Sequence, residues 1–301
     1  IFKKGDFDYV DNYRGVSLLC IISKCYTSVL NARLVKWMQV YEKIVESQAG
    51  FRKKYSTVDH IFTLSSIIEK SLSKRRGKLY VAFVDLRKAF DSVDRQSLFR
   101  ALSEAGVSGR MLKSLMSIYK SVLSCVRAGS SRTDFFECPL GLRQGCCLSP
   151  SLFTLFINAV ADNMDAQGRH GIQLMPGLLE LFLLMFADDI ALLSDTAQGL
   201  QNQLNCLART CSDLKLTVNT EKTKIMVFRK GGALRRNEKW FLNGDQLEVV
   251  NSYVYLGFQF TTQMSIVRGV SHFIQKGKRA TFDCIRLVNQ LKELPRSVFF
   301  K

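Results

Sequence analysis

The chain has 301 residues, with 43 lysines and arginines against 26 acidic residues and a formal net charge of +17. A hydrophobic fraction of 47% and a charged fraction of 23% are ordinary for a globular protein, which excludes a disordered or fibrous chain. Such a positive charge is typical of proteins that bind a polyanion, with nucleic acid ahead of a membrane surface.

The N-terminal third is predicted to form helices and one buried strand. Apolar residues recur at helical spacing over residues 16–26, 29–38 and 61–72. Residues 79–84 are rich in β-branched and aromatic side chains, which favours a buried strand that ends at Asp85. Taken alone, Asp85 would simply be the N-cap of a following helix.

Similar patterns continue through the rest of the chain. Helices are predicted over residues 96–104, 111–121, 152–161, 199–214 and 265–288. Strands are predicted over residues 122–127, 133–138, 216–219, 224–228, 240–242, 246–249 and 254–260. Asn243-Gly244-Asp245 separates two of these strands and is a strong hairpin signal.

Phe186-Ala187-Asp188-Asp189 places two adjacent carboxylates between apolar runs. Adjacent carboxylates repel each other and are costly to desolvate, so a cation is expected to compensate them. The pattern therefore predicts a metal site at a hairpin tip. A solvated turn is the simpler interpretation of an isolated Asp-Asp pair, and only its combination with Asp85 favours the metal site.

Three carboxylates suit a pair of divalent ions. Two such ions about 3.5–4 Å apart stabilise the attacking and the leaving oxygen in nucleotidyl transfer. Magnesium prefers one or two carboxylates together with substrate phosphates. We therefore expect Asp85, Asp188 and Asp189 to bind two Mg²⁺ ions, for which Mn²⁺ can substitute.

The cysteines indicate the cellular location of the protein, and the chain ends indicate a longer polypeptide. Nine cysteines without a Cys-x-x-Cys pair, and three histidines, form no recognisable zinc site, and the odd cysteine number argues against a secreted disulfide scaffold. We expect an intracellular protein of nucleus and cytoplasm, not a secreted one. No leader or membrane-spanning stretch is found, so no membrane partner is expected. Because the chain begins at Ile1 and ends at Lys301, we expect a longer parent polypeptide.

Several sequence blocks occur in a fixed order along nearly the whole chain. They are Asn12-Tyr13-Arg14-Gly15-Val16-Ser17-Leu18-Leu19, Gln48-Ala49-Gly50-Phe51-Arg52, Val84-Asp85 with Ala89-Phe90-Asp91, Arg143-Gln144-Gly145 with Leu148-Ser149-Pro150, Phe186-Ala187-Asp188-Asp189, Asn219 with Lys222-Thr223-Lys224, and Tyr255-Leu256-Gly257. This set resembles the reverse transcriptases of non-LTR, LINE-type retrotransposons, the last five blocks corresponding to motifs A to E. Phe186 stands where many relatives carry tyrosine.

The resemblance implies an α+β fold, the right-hand polymerase with fingers, an antiparallel-sheet palm and the start of a helical thumb. The expected divisions are the N-terminal part of the fingers at 1–78, the palm strand with motif A at 79–95, a fingers–palm connection at 96–140, the palm with motifs B to E at 141–260, and a truncated thumb at 261–301. The implied activity is RNA-directed DNA synthesis. Its partners would be an RNA template, a DNA primer, dNTPs and other domains of a parent polyprotein, such as an endonuclease.

Residue roles follow from the same resemblance. Asp85 and Asp188 resemble the principal metal ligands, and Asp189 belongs to the same acidic site, where its field contributes more than ligation. Asp91 and Asp94, close by in sequence, are interpreted as helix-start or surface acids.

Two further positions match the nucleotide site of the family. Phe90 matches a bulky ring beneath the incoming sugar, where it would clash with a 2′-hydroxyl; the alternative is a core aromatic residue. Arg52, with Lys53 or Lys54, matches the position that grips the triphosphate; the alternative is surface charge.

The remaining matches concern the loop, the acid and the primer. Gln144 and Gly145 resemble the loop that lies under the nascent base pair. The alternative interpretation of Gln144 is a glutamine in an ordinary turn, without a function. Lys222 matches the lysine that protonates the leaving pyrophosphate, with Lys224 as the second choice and a surface lysine as the alternative. The hairpin that holds the primer is matched by Tyr255, Leu256 and Gly257.

Two other functions are compatible with parts of the pattern. An inactive or repurposed remnant that binds nucleic acid would explain the charge of +17. A palm-fold nucleotide cyclase would share the paired acids, but it has no reason to carry the Arg143-Gln144-Gly145 and Tyr255-Leu256-Gly257 blocks.

Overall fold

The computed structural model describes residues 1–3, 5–128, 130–166, 171–175, 179–234 and 238–292. These ranges contain seven α-helices: α1 (Ile21–Val40), α2 (Thr57–Ser73), α3 (Arg95–Glu104), α4 (Gly109–Tyr119), α5 (Ser149–Ala166), α6 (Ala197–Asp213) and α7 (Ile266–Lys292). None of these helices combines the length and the hydropathy that a bilayer span requires.

The same ranges contain fifteen strands, many of them short. They are β1 (Lys78–Val84), β2 (Leu123–Ser124), β3 (Arg127–Ala128), β4 (Ser131–Arg132), β5 (Phe136–Glu137), β6 (Ile172–Met175), β7 (Leu179–Leu181), β8 (Leu183–Phe186), β9 (Asp189–Ser194), β10 (Lys224–Arg229), β11 (Phe241–Leu242), β12 (Asp245–Gln246), β13 (Glu248–Val250), β14 (Ser252–Tyr255) and β15 (Phe258–Thr261).

One five-stranded sheet organises the molecule, in the order β13-β10-β1-β9-β8. Strand β1 is antiparallel to both β9 and β10, β8 is antiparallel to β9, and β13 runs parallel to β10. Because β1 lies at the centre, the residue that follows it, Asp85, emerges beside the turn between β8 and β9.

Both faces of β1 are buried, which explains its continuous apolar sequence. Alternate side chains enter a core formed with α1, α3, α5 and α6; these are Tyr80, Ala82 and Val84. The others enter a second core formed with α2 and the β14–β15 hairpin; these are Leu79, Val81 and Phe83. The sheet is thus clamped between two apolar layers.

Local capping bonds fix where several helices begin. Asp94 Oδ1 accepts a hydrogen bond from the Ser97 backbone N–H (3.0 Å) at the start of α3, and Thr196 Oγ1 accepts one from Gly199 N–H (3.0 Å) at the start of α6. The interpretation of Asp94 as a helix-start acid is therefore confirmed.

Most predicted elements are confirmed. The predicted helices lie within or largely overlap α2 to α7, and the strands over residues 79–84 and 224–228 match β1 and β10. The Asn243-Gly244 turn joins β11 to β12, with both φ values positive (52° and 91°). The strands predicted over residues 122–127 and 133–138 are present in shorter form and pair with each other, β2 with β5 and β3 with β4.

The helix predicted over residues 16–26 is wrong in its first part. Helix α1 begins only at Ile21, where Cys20 Sγ accepts a hydrogen bond from Ser23 N–H (3.4 Å), and then runs unbroken through residues 29–38. Residues 16–20 lie outside any helix or strand, and within them Ser17 N–H donates to the Gln144 carbonyl (2.6 Å). A tertiary contact thus overrides the helical spacing.

Two predicted strands also differ. Residues 254–260 form two strands with a turn at Leu256-Gly257, whose positive φ values of 48° and 89° are those of a type I′ turn. Residues 216–219 form only a bridge between Val218 and Leu86, because their backbone bonds to the segment after β1. The basic pair Arg235-Arg236 lies outside the described residues.

Phe83 is expected to be a major contributor to the second core. Its ring is 1% exposed and stacks on Tyr253, with ring centroids 4.4 Å apart. Phe83→Ala should lower the free energy of unfolding by about 3–5 kcal/mol. Urea denaturation measures this free energy. The control is Phe62→Ala, at a position on α2 that is 71% exposed, which should change the free energy of unfolding by less than about 0.5 kcal/mol.

Candidate active site

The turn between β8 and β9 carries the paired carboxylates. Phe186 pairs with Asp189, which leaves Ala187 and Asp188 as the two central residues. Ala187 has φ of +58°, whereas Asp188 is not in the left-handed region. This is the pattern of a type II′ turn, where glycine usually fills the first central position, so Ala187 is strained.

Asp85 completes a group of three carboxylates. Val84 pairs with Ile190 across β1 and β9, so Asp85 follows β1 beside Asp189. Burial, followed by the charges of Asp188 and Asp85, raises the pKa of Asp189 to about 6. Burial is also the main cause of the raised pKa of Asp188; the charge of Asp85 adds to it, and Arg14 partly offsets it.

Asp189 is exposed by surface area, although desolvation is the main cause of its shift. Both observations hold for a carboxylate in a cleft, where protein atoms surround it while water still reaches it. Among the described residues, no three His, Cys, Asp or Glu side chains enclose a metal ion on their own. Mg²⁺ typically takes one or two carboxylates together with substrate oxygens and water, and Asp85, Asp188 and Asp189 offer oxygen ligands of this kind.

Gln48 holds this turn from the opposite side. Its amide is 0% exposed, and its Oε1 accepts hydrogen bonds from Ala187 N–H (2.9 Å) and Gly50 N–H (2.7 Å). Its Nε2 donates to the Ala187 carbonyl at 3.4 Å. Both backbone polar groups of Ala187 are thus bound by one side chain.

The segment around Gln48 lies along the free edge of β8. Met185 N–H donates to the Ser47 carbonyl (2.8 Å), and Ala49 N–H donates to the Met185 carbonyl (2.9 Å). Gly50 allows this close approach, since a Cβ there would collide with the backbone nitrogen of Ala187. The N-terminal part of the chain is therefore fastened to the turn.

The motif D loop lies on the other side of Asp85. Asn219 N–H donates to the Asp85 carbonyl (2.8 Å), and Lys222 Nζ lies 3.9 Å from Asp85 Oδ2. Lys224 Nζ instead forms an ion pair with Glu248 at 2.6 Å. Of the two candidate lysines, Lys222 is the one near the carboxylates, and its side chain is 69% exposed.

Phe90 lies between a core ring and an exposed one. It stacks on buried Phe153, with centroids 4.2 Å apart, and meets Phe51 edge to face at 6.1 Å. Phe51 is 57% exposed. Phe90 is therefore half-buried, with a firm support behind its ring.

The motif B loop is tied to motif A. Gln144 Nε2 donates a hydrogen bond to Asp91 Oδ1 at 2.8 Å. Asp91 is exposed, as predicted for a surface acid, and this bond gives it a specific partner in motif B. Leu142 N–H donates to the Phe90 carbonyl at 2.8 Å. Gly145 has φ of +111°, and a Cβ there would lie 2.8 Å from the Ser17 carbonyl oxygen.

Arg52 is held within its own segment. Its guanidinium pairs with Glu46 at 3.2 Å, lies over the Tyr55 ring at 3.8 Å and donates to the Gln48 carbonyl at 3.0 Å. Lys53 and Lys54 are exposed. A triphosphate contact by Arg52 would compete with Glu46, whereas the two lysines are not so constrained.

The motif E hairpin presents backbone rather than its tyrosine. Tyr255 is 3% exposed, packs against Phe83 and lies in the second core, where burial and then the charge of Asp189 raise its pKa. Leu256 and Gly257 form the half-exposed turn. Any primer contact of this hairpin would involve the turn and not the buried ring.

Two residues near the acids were given no role from sequence. Arg14 lies in the first sequence block, and its charge acts on Asp188. Gln48 lies in the second block, but nothing in the sequence marks its amide as buried. The only sequence signal for a role of Arg14 or Gln48 is that each lies inside one of the ordered blocks.

The antiparallel sheet with three carboxylates at one end of its central strands is typical of a right-hand polymerase, and comparison with solved structures confirms this fold. A telomerase from Candida albicans in complex with a TWJ fragment of telomeric RNA matches with a TM-score of 0.52 and 15% identity, covering 79% of this chain and 36% of that one. An apo telomerase from Candida tropicalis matches with a TM-score of 0.52 and 13% identity, covering 82% and 40%. At such identities the likeness concerns the fold alone.

The family is shown by sequence. The family model for reverse transcriptase (RNA-dependent DNA polymerase) matches residues 1–260, so the chain belongs to the reverse transcriptase family. Enzymes of this family generally use divalent metal ions and copy an RNA template from a primer.

The relatives are polyproteins of mobile elements. The Pol polyprotein from type-1 retrotransposable element R2 of Popillia japonica is 29% identical over 270 residues, covering 86% of this chain and 36% of the relative. The RNA-directed DNA polymerase from mobile element jockey of Drosophila funebris is 24% identical over 272 residues, covering 87% and 28%. The resemblance to non-LTR reverse transcriptases is confirmed, and the chain spans about a third of these relatives' length.

The raised pKa of Asp189 predicts a stability effect. Its value of about 6 exceeds the ordinary 3.8, so ionisation of Asp189 costs the folded state stability as pH rises from about 4 through 6. Without divalent ions, Asp189→Asn should therefore be more stable than the parent chain at pH 8, by roughly 1–3 °C in Tm, because the desolvation and repulsion of a carboxylate that water still reaches cost at most about 1 kcal/mol.

Thermal unfolding at pH 8 and pH 4 measures this difference, which should vanish at pH 4. Asp195→Asn, at an exposed position just after β9, is the matched control. An Asp189→Asn variant no more stable than Asp195→Asn at pH 8 would contradict this cost of ionising Asp189.

Proposed function

We propose that the chain is the RNA-directed DNA polymerase domain of a LINE-like retroelement, which transfers a nucleotide from a dNTP to the 3′-hydroxyl of a DNA primer on an RNA template. The observation that carries the proposal is the meeting of Asp85, Asp188 and Asp189 at one edge of the sheet, in a chain of the reverse transcriptase family. Further domains of a parent polyprotein, such as an endonuclease, would complete the element.

Asp85, Asp188 and Asp189 would hold two Mg²⁺ ions, for which Mn²⁺ can substitute. When bound, the ions supply charge stabilisation for the attacking and leaving oxygens of the transfer. The raised pKa of Asp189 supports this assignment, since burial and then the charges of Asp188 and Asp85 oppose its ionisation, and a bound cation would offset both.

Lys222 is proposed as the group that gives a proton, from Nζ, to the leaving pyrophosphate. Its distance of 3.9 Å from Asp85 and its exposed side chain support this role over Lys224, which is paired with Glu248.

Phe90 is proposed to exclude ribonucleotides. The support behind its ring from Phe153 keeps it from yielding to a 2′-hydroxyl, which is what a steric gate requires. Gln144 and Gly145 would lie under the nascent base pair, with Gln144 oriented by its bond to Asp91.

The remaining contacts concern triphosphate and primer. Arg52 would grip the triphosphate after leaving Glu46, with Lys53 or Lys54 beside it. The turn after Tyr255, formed by Leu256 and Gly257, would support the primer through its backbone.

The domain and location assignments are also proposals. We place fingers at 1–78, the palm at 79–95 and 141–260, their connection at 96–140, and the start of the thumb from residue 261. An intracellular location, in nucleus and cytoplasm, is supported by the cysteines, all nine of which lie in the described residues as free thiols.

The polymerase proposal predicts metal-dependent synthesis on poly(rA)/oligo(dT) with magnesium and dTTP. The double variant Asp188→Ala, Asp189→Ala should lose it by at least about 100-fold, since it removes the charge that holds the cations. Primer extension measures this. Asp195→Ala, which removes an exposed carboxylate outside the cleft, should retain the parent activity.

Failure of the parent chain to extend the primer, with salt-sensitive RNA binding retained, would contradict the proposal. That outcome would instead indicate a remnant that binds nucleic acid without catalysis.

The gate proposal predicts a change in sugar discrimination. Phe90→Ala should lower the ratio of kcat/KM for dTTP to that for UTP by roughly tenfold or more, because the clash with the 2′-hydroxyl is removed. Single-nucleotide extension with each substrate measures the ratio. Phe99→Ala, which removes a partly buried ring on α3, is the matched control and should leave the ratio unchanged.

A further inference from the structure

The burial of Gln48 needs a physical explanation. An amide removed from water costs about 1–3 kcal/mol unless its polar atoms find partners. Gln48 is 0% exposed, yet both ends of its amide are bonded, Oε1 to two backbone N–H groups and Nε2 to a carbonyl. An apolar side chain would fill the same space without this cost, so the bonds themselves are the reason for a glutamine here.

The bonds of Gln48 reach the two peptide groups that flank one strained residue. The Ala187 N–H belongs to the peptide group before Ala187, and the Ala187 carbonyl belongs to the one after it. An amide bonded to both fixes their relative rotation, which is the φ and ψ of Ala187. Because φ is +58° at a residue with a Cβ, this conformation needs external support.

The conformation of Ala187 sets the direction in which Asp188 leaves the turn. The backbone bonds from Ser47 and Ala49 end at Met185, two residues earlier, so they hold the segment against β8 without fixing the turn. Among the described residues, the side chain of Gln48 extends hydrogen-bonded support to Ala187 itself. The amide thus acts on the carboxylates through the backbone and not by touching them.

The same segment continues to the candidate triphosphate group. Arg52 Nη1 donates to the Gln48 carbonyl at 3.0 Å, only four residues further along the chain. A shift of Arg52 would therefore be transmitted to the residue whose side chain supports the turn.

We propose that Gln48 is a positioning residue of the polymerase: its buried amide holds the Ala187-Asp188 turn in the geometry in which Asp188 and Asp189 bind divalent cations. This inference rests on the proposed function. It assigns a role to a residue of the fingers in shaping the acidic site of the palm.

Gln48→Met tests this proposal, because methionine keeps the length of the side chain and removes its hydrogen bonds. The matched control is Gln203→Met: Gln203 is also buried, on α6, and its Nε2 donates to the Leu193 carbonyl at 2.8 Å, in β9 but away from the turn. Both substitutions should lower Tm, since each removes a buried amide bonded to the sheet.

Two readouts separate positioning from stability. Mn²⁺ affinity, measured by EPR of the free ion, should fall about tenfold in Gln48→Met and stay at the parent value in Gln203→Met. The kcat for primer extension should fall by about tenfold or more in Gln48→Met alone, with a smaller change in KM for dTTP. Adding Ala187→Gly to Gln48→Met should recover part of both losses, because glycine adopts the positive φ without support.

Equal Mn²⁺ affinity in the parent, Gln48→Met and Gln203→Met would overturn the proposal, as would equal losses in the two variants. If Gln48→Met does not fold, Gln48→Leu carries the same comparison. A parent chain that binds Mn²⁺ but makes no DNA would instead count against the proposed function, while the Mn²⁺ affinities would still decide the role of Gln48.

Discussion

The repulsion among three carboxylates at the end of the central strand is the constraint on which the site depends. Asp188 and Asp189 lie beside Asp85 at the end of the central strands of an apolar sheet, where desolvation and the neighbouring charges oppose ionisation of Asp188 and Asp189. On a flexible loop, the carboxylates would move apart and relieve this repulsion. The group persists because each of its members is attached to a strand that cannot move.

The rigidity of those strands comes from burial on both faces. Strand β1 is covered by helices on one side and by α2 with the β14–β15 hairpin on the other, so its alternate residues are held in two separate cores. Ladder bonds to β9 then fix Asp85 beside Asp189. Packing far from the carboxylates therefore determines their spacing, since a one-residue slip in register would move every side chain of β9 to the opposite face of the sheet.

The sequence was sufficient for the parts of the site that lie on regular elements. The apolar runs around Asp188 predicted the hairpin, and the strand before Asp85 predicted its place beside that hairpin. Side-chain partners were not predictable, because they join distant segments. Gln48 and Ala187 are 139 residues apart, and the pairing of Lys224 with Glu248, which leaves Lys222 near the acids, depends on a parallel strand pair.

The protein carries a charge of +17, yet its positive groups do not neutralise the acidic cleft. Lys222 lies 3.9 Å from Asp85, and the charge of Arg14 acts on Asp188, but neither prevents the raised pKa of the paired acids. Arg52 is instead paired with Glu46. The net charge of +17 thus favours a polyanion, while the charge of the paired acids is not neutralised by the described cations near them. In the proposed polymerase, this separation of the two kinds of charge would let the protein attract nucleic acid and a metal ion together.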